Sequence, residues 1–218
     1  MLIVDLHLKG NLAIVVGSGN EGMKKVASLL TQDCRILVIS NNSNAQIEKY
    51  VKQGKIEFKK TKLKDDSFLS KYKPYLVMAT TNDKVLNRKI VQKSRKMKSY
   101  AYASDDPEIS DFAHPSVINI ADTLQVAIST GGSSPAMARK IKIKTESFLK
   151  KNISSDDIYQ IKLQKFARFE AKQVLSTQLD RKKFLYAVMN DKHVKGLLKE
   201  GKYKIAQTQV KKILREWI

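Results

Sequence analysis

The stretch Leu12-Ala-Ile-Val-Val-Gly-Ser-Gly-Asn-Glu-Gly22 decides the fold. Five apolar residues run without alternation and stop at a glycine, the pattern of a short strand covered on both faces. Gly17, Gly19 and Gly22 then follow at G-x-G-x-x-G spacing, and Glu21 to Leu30 reads as a helix with Met23, Val26, Ala27 and Leu30 on one face. In such a turn Gly17 permits the sharp reversal, Gly19 lets a pyrophosphate approach the backbone, and Gly22 lets helix and strand pack closely. The amides at the helix N-terminus face the phosphates. Gly17, Ser18, Gly19, Asn20, Glu21 and Gly22 are therefore candidate dinucleotide-binding residues.

Working outward, Arg35-Ile-Leu-Val-Ile39 is a second buried strand, stopped by the turn-forming Ser40-Asn-Asn-Ser-Asn44. Ala45 to Lys52 reads as a helix, Ile56-Glu-Phe58 as a third strand, Tyr75-Leu-Val-Met-Ala79 as a fourth, Val85 to Lys96 as a helix and Tyr100-Ala-Tyr-Ala103 as a fifth strand. Alternation of this kind predicts an α/β fold with a Rossmann-like, doubly wound parallel sheet. The second strand ends without the Asp or Glu that usually holds a ribose 2′-hydroxyl. Ser40 and Asn41 can still bond a ribose, and the missing acid removes the repulsion that would exclude a 2′-phosphate, so the residues leave the choice of cofactor open. Thr80, Thr81 and Asn82 follow the fourth strand, on the edge where open α/β sheets bind ligands. They are expected to contact the nicotinamide half; the plainer reading is a helix cap by Asn82 or Asp83.

After Asp105 the pattern changes. Val117-Ile-Asn-Ile120 and Leu124-Gln-Val-Ala-Ile128 flank Ala121-Asp-Thr123 and read as an antiparallel hairpin. The polar loop Ser129-Thr-Gly-Gly-Ser-Ser-Pro135 leads into a helix over Ala136 to Lys150, and everything from Ser154 onward looks helical. Ser154-Ser-Asp-Asp157 is a cap region, and Asp180 is expected to cap Lys182–Met189. Three parts emerge: a dinucleotide-binding domain at 1–112, a small α+β region at 113–150 and a helical domain at 151–218.

Composition narrows the field. The 218 residues are 42% hydrophobic, too many for a disordered chain, and carry 41 Lys+Arg against 21 Asp+Glu for a net charge of +20. Residues 1–150 hold +11 of that charge and residues 151–218 hold +9. Nucleic-acid binding, binding of a polyanionic small molecule and plain lysine-rich surface all fit such a balance. The lone cysteine, Cys34, excludes a disulfide framework and fits a reducing compartment. No stretch approaches a membrane span and the N-terminus lacks a signal-peptide pattern, so a soluble cytoplasmic protein is expected.

With these residues in hand, the chain resembles the precorrin-2 dehydrogenase family of the siroheme-synthase type. The resemblance is carried by Leu6-His-Leu-Lys-Gly10, by Val15-Val-Gly-Ser-Gly-Asn-Glu-Gly-Met-Lys-Lys25, by Ala79-Thr-Thr-Asn-Asp83 with Leu86-Asn87, and by Asp105-Asp-Pro107 with Asp111-Phe112 and Pro115. Its most distinctive stretch is Ile128-Ser-Thr-Gly-Gly-Ser-Ser-Pro-Ala-Met-Ala-Arg139. Phe184-Leu185 and Leu197-Leu-Lys-Glu-Gly201 fit the family's small helical domain. The resemblance implies NAD-dependent oxidation of precorrin-2, an octacarboxylate tetrapyrrole, to sirohydrochlorin, with Fe²⁺ insertion in some members. It also implies a homodimer, with 113–150 as the dimerisation region.

Asp105 is the candidate catalytic residue. Loss of a hydride from the macrocycle is accompanied by loss of a proton, and a carboxylate beside the nicotinamide is a suitable base; by resemblance Asp105 occupies the family's functional aspartate position. Without the family, Asp105-Asp-Pro107 reads more readily as an ordinary turn, with Asp106 its turn residue. Thr130, Gly131, Gly132, Ser133 and Ser134 offer amides and hydroxyls to substrate carboxylates, or simply cap the following helix with Pro135 in its first turn. Arg139 is a candidate carboxylate partner. Two positions depart from the family: Tyr102 stands where asparagine is usual, and His114, a candidate substrate contact, where an apolar residue is common. His7, His114 and His193 are too scattered for a metal site, and none is expected. Two other classes compete. A non-catalytic nucleotide sensor would lack the Gly131-Gly-Ser-Ser-Pro135 loop, and a nucleic-acid module would show a stacking platform or a helix-turn-helix, neither of which is present; no nucleic-acid partner is expected.

Overall fold

A computed structural model describes residues 3–217. The chain divides between His114 and Pro115 into two compact units. In the first, β1 (Leu12–Val16), α1 (Asn20–Leu29), β2 (Arg35–Ser40), α2 (Ala45–Lys52), β3 (Glu57–Lys60), α3 (Leu69–Tyr72), β4 (Leu76–Ala79), α4 (Lys84–Lys96) and β5 (Tyr100–Ala103) follow in order. The five strands lie parallel in the order β3-β2-β1-β4-β5. This is the Rossmann-like sheet that the alternation of segments predicts. The order reverses beside β1, and the crevice beyond the strand ends there is the usual ligand position of such sheets.

Continuous apolar strands make sense in this arrangement because successive side chains point to opposite covered faces. Val15, Val38 and Met78 pack with Val26 and Leu29 of α1 on one face. Ile14, Val16, Ile39 and Val77 pack with Leu69 and Ile90 on the other. The element bounds shift slightly from those read in the sequence. β3 begins at Glu57 rather than Ile56 and runs two residues further, to Lys60, because its pairing with β2 continues to Ser40↔Lys60. The short α3 was not foreseen; four residues are too few to display a helical period, and a left-handed Lys73 (φ 45°) ends it.

The second unit opens with the hairpin β6 (Ser116–Ile120) and β7 (Leu124–Ile128), antiparallel with Ile118 opposite Val126. Its turn places Ala121 and Asp122 at φ 50° and 49°, the doubly left-handed geometry that follows the twist of hairpin strands. Then come α5 (Pro135–Asn152), α6 (Ser155–Val174), α7 (Gln178–Asn190), α8 (Lys192–Lys199) and α9 (Tyr203–Glu216). Leu163, Ala167, Phe184, Val188, Val194 and Val210 form the core of the last four helices. Ser154 and Asp157 form a reciprocal capping box on α6. Asp180 is not the cap expected of it. Helix α7 begins at Gln178, four residues before Lys182, Thr177 accepts the Asp180 amide at 3.0 Å, and the Asp180 carboxylate accepts the Thr177 hydroxyl at 2.6 Å. No helix among the described residues is long and apolar enough to cross a membrane.

Candidate dinucleotide site and adjoining carboxylate

The glycine turn is held from three sides. Gly17 has φ 105°, and its amide donates to the Ile39 carbonyl at 2.9 Å. A Cβ on Gly17 would lie 2.7 Å from the Thr80 carbonyl oxygen, and one on Gly22 would collide with the Gly17 carbonyl. The Thr80 hydroxyl donates to the carbonyls of Val16 (2.8 Å) and Gly17 (3.3 Å), which ties the loop after β4 to the turn after β1. Gly19 is different: nothing lies within 4 Å of where its Cβ would be. Two glycines are thus required by the fold, and the third leaves open space at the start of α1.

That space belongs to a cleft of about 490 Å³ at the C-terminal ends of β1, β2 and β4. Gly17, Ser18, Gly19, Ser40, Asn41, Thr80, Thr81 and Asn82, all expected at the site, line it; Asn20, Glu21 and Gly22 form the first turn of α1 and do not. The exposed Glu21 pairs with Lys24 at 2.5 Å, which lowers its pKa. The Ser18 hydroxyl donates to the Asn42 carbonyl (2.7 Å) and to Ser40 Oγ (2.9 Å), and the Asn44 amide donates to the Ser18 carbonyl (3.0 Å). The rim is therefore preformed, while Ser43 Oγ within it is buried without a hydrogen-bond partner. An open glycine backbone at a helix N-terminus and an orphaned hydroxyl in the adjoining loop fit a phosphate-bearing dinucleotide. The sequence reading did not single out Thr61 and Lys62, which enter the cleft from the loop after β3.

Beyond β4, Asp83 caps α4 by accepting the Leu86 amide at 2.9 Å. Asn82 lines the cleft and is exposed, so the capping role falls to Asp83 alone. The fully buried Asn87 connects this loop to Asp105. Its Nδ2 donates to Asp105 Oδ1 (2.7 Å) and to the Thr81 carbonyl (3.0 Å), while its Oδ1 accepts the Thr81 hydroxyl (2.7 Å). Asp105 itself is exposed. Its neighbour Asp106 serves the turn, accepting the Glu108 amide at 3.1 Å and pairing with Arg88 at 2.8 Å.

The two positions that depart from the family meet one another. The rings of Tyr102 and His114 are edge to face at 5.0 Å, Phe112 lies 5.5 Å from His114, and the buried Lys25 holds its ammonium 4.4 Å from the Tyr102 ring centre. His114 keeps part of its surface in solvent, but its ring packs among these side chains, and this partial desolvation, with a smaller contribution from the Lys25 charge, lowers its pKa to about 4. Burial also lowers the Lys25 pKa and raises that of Tyr102.

The remaining candidates lie in the second unit. Gly131 and Gly132 are left-handed (φ 69° and 83°) and exposed with Ser133. The Ser134 amide donates to Thr130 Oγ1 at 3.1 Å, and Ser134 Oγ accepts the Met137 amide at 3.3 Å, capping α5 with Pro135 in its first turn. Arg139 is exposed on α5. No group of three or more His, Cys, Asp or Glu able to hold a metal occurs among the described residues.

The chain is similar to proteins of known families. An NAD(P)-binding family matches residues 4–116, and the sirohaem biosynthesis protein central family matches residues 122–144. A siroheme synthase of Photorhabdus laumondii is 26% identical over 215 residues, covering 99% of this chain and 44% of the relative. Those of Thioalkalivibrio sulfidiphilus and Neisseria meningitidis are 32% and 28% identical, covering 67% and 66% of this chain and 29% of each relative. The chain thus spans less than half the length of these curated relatives. The solved structure of SirC, precorrin-2 dehydrogenase, shares the fold with a TM-score of 0.67 at 19% identity, over 100% of this chain and 98% of that one.

Proposed function

The chain belongs to the NAD(P)-binding family and carries the central segment of sirohaem-biosynthesis proteins, and on that premise we propose that it oxidises precorrin-2 to sirohydrochlorin with NAD as hydride acceptor. The observation that carries this reading is the anchoring of Asp105 by Asn87 at the same sheet edge as the glycine turn. The α1 N-terminus and the Gly17–Gly19 backbone would hold the pyrophosphate, Ser40 and Asn41 the adenosine ribose, and Thr81 and Asn82 the nicotinamide half. When bound, the nicotinamide supplies the hydride acceptor. Asp105 takes the proton that the macrocycle loses. Its Oδ1 is occupied by the Asn87 amide, which fixes the carboxylate and leaves Oδ2 to face the substrate.

In the second unit we assign substrate carboxylates to the exposed loop at Gly131, Gly132 and Ser133, whose Gly131 amide donates to Ser129 Oγ at 3.2 Å, with the hydroxyls of Thr130, Ser133 and Ser134, and Arg139. His114 is assigned as a neutral substrate contact. We further propose a homodimer through the hairpin and α5, where Val117, Met137, Ile141 and Phe148 are exposed. Insertion of Fe²⁺, with the metal as substrate, would fall to Asp105 as well. We place the reaction in the cytoplasm, where the free Cys34 stays reduced.

The test is incubation with precorrin-2 and NAD, followed by absorbance, with Fe²⁺ or Co²⁺ added afterwards. The chain is expected to form sirohydrochlorin. Asp105→Ala is expected to abolish turnover while retaining the fold and NAD binding, and unchanged turnover in that variant would refute the assignment.

A further inference from the structure

Lys25 is an ammonium without an anion. It stands on α1 and is only 8% exposed, yet it makes no hydrogen bond and no ion pair among the described residues. Its nitrogen rests on the face of the Tyr102 ring, 4.4 Å from the centre. Buried charges are ordinarily paired, because an ammonium has three donors to satisfy and much hydration to lose. The nearby acids have other partners. Glu21, one turn earlier on the same helix, pairs with Lys24, and beyond β5 Asp106 pairs with Arg88 and Asp111 with Arg95. The nitrogen is nonetheless not sealed in: the fully enclosed, unpartnered side-chain atoms among the described residues are Ser43 Oγ and Gln160 Nε2. The stem is covered and the charged tip is left reachable.

We propose that Lys25 anchors one carboxylate of the substrate against the rings of Tyr102, Phe112 and His114, as a fixed point in the first unit beside Asp105. The inference rests on the tetrapyrrole reading above and adds to it a residue that fixes how the substrate lies. Three observations support it. The rings form one cluster, with centres 5.6 Å apart for Tyr102 and Phe112, 5.0 Å for Tyr102 and His114, and 5.5 Å for Phe112 and His114. His114 is exposed and the other two are half-buried, so the cluster offers a surface to a ligand. The cluster also adjoins the proposed base: burial, and then the charges of Glu21 and Asp105, raise the Tyr102 pKa, which sets that ring within electrostatic reach of Asp105. Finally, Lys25 is absent from the lining of the dinucleotide cleft, so its missing anion is not a cofactor phosphate. Three rings and one cation complement a carboxylate carried on a flat conjugated ring. An ion pair of this kind forms equally in the ground and transition states, so the anchor acts on KM and leaves kcat.

The experiment is fluorescence titration of the full chain with uroporphyrin, a stable octacarboxylate porphyrin, alongside titration with NAD⁺, thermal melts and steady-state kinetics with precorrin-2. It is repeated on Lys25→Met, which keeps the apolar stem, on Lys25→Gln, and on Lys96→Met, an exposed lysine near the end of α4. Lys25→Met should melt like the parent, raise the uroporphyrin Kd and the precorrin-2 KM at least tenfold, and leave kcat and the NAD⁺ Kd within threefold. Lys25→Gln should share the loss, and it decides the question if Lys25→Met does not fold. Lys96→Met should leave every constant within threefold. Unchanged uroporphyrin binding in the folded Lys25 variants overturns the proposal, and a fall in melting temperature alone would mark Lys25 as a packing residue. So does an equal loss in Lys96→Met, which would mark a general field, or a parent that binds no uroporphyrin. A parent that binds uroporphyrin through Lys25 but does not oxidise precorrin-2 would overturn the dehydrogenase reading and leave the carboxylate anchor standing.

Discussion

Asn87 Nδ2 donates to Asp105 Oδ1 at 2.7 Å, and the two residues come from different elements, one buried in α4 and one exposed beyond β5. Asn87 also accepts the Thr81 hydroxyl, so one amide orients both the loop expected at the nicotinamide and the proposed base. Asn87→Ala is expected to lower kcat with precorrin-2 by about 10²-fold through misplacement of Asp105. It should also cost about 1–3 kcal/mol of stability, because polar groups lose their partner. Steady-state kinetics and thermal melts check both. A purely structural role would lower stability without moving kcat of the folded fraction.

The glycines of the turn should separate by substitution. Gly22→Ala pushes a methyl group into the Gly17 carbonyl and is expected to destabilise the protein by about 3 kcal/mol. Gly19→Ala meets open space and has an ordinary extended backbone (φ −70°, ψ −176°), so it should melt like the parent. Its dinucleotide affinity should nonetheless fall roughly tenfold, because the methyl group stands where the pyrophosphate approaches. Melting curves and binding titrations on the two variants distinguish a folding role from a binding role.

The His114 imidazole gives a pH signature. Its folded pKa is about 4 against an ordinary value of 6.5. Between those pH values the unfolded chain takes up a proton at this position and the folded chain does not, so stability falls as pH drops from 6.5 to 4; above 6.5 the residue contributes no slope. His114→Phe should flatten the dependence of Tm on pH across that window. The same shift keeps His114 neutral at pH 7, so the neutral limb of the pH profile of the proposed activity should keep its shape in the variant even where the rate falls.

Met137, Ile141 and Phe148 lie on one face of α5 at helical spacing, exposed by 47%, 40% and 64%. A stripe of this kind is covered in an oligomer. Sedimentation of the parent chain should give a dimer, and Phe148→Glu should give a folded monomer. A monomeric parent would remove the dimer from the proposal.

The parallel sheet was legible because β1, β2 and β4 are apolar without interruption and end in glycine or polar turns, a local signal that survives without tertiary information. The hairpin was legible from two short β-forming runs, Val117–Ile120 and Leu124–Ile128, with only Ala121-Asp-Thr123 between them. What escaped is contributed across distance. Lys62 reaches the cleft only because β3 pairs beside β2, and no local pattern in Lys59-Lys-Thr-Lys-Leu-Lys64 distinguishes a rim lysine from a solvated one. Asn87 stood in a recognised motif, yet its bond to Asp105 spans 18 positions and appears only after α4 and β5 are placed side by side. At α7 both Thr177 and Asp180 are competent caps, and the helix start decides between them.

The packing of Gly17 and Gly22 against Thr80 also defines where the pocket can be redesigned. The space that a larger residue would need at those two positions is already taken by the backbone of Gly17 and Thr80 and by the Thr80 hydroxyl, so a library varying them would consist mostly of unfolded chains. The rim at Asn41, Asn42 and Lys62 is solvent-facing, and its side chains carry no hydrogen bond among the described residues. Retuning this protein toward a different nucleotide is therefore a problem of three surface positions on a fixed backbone.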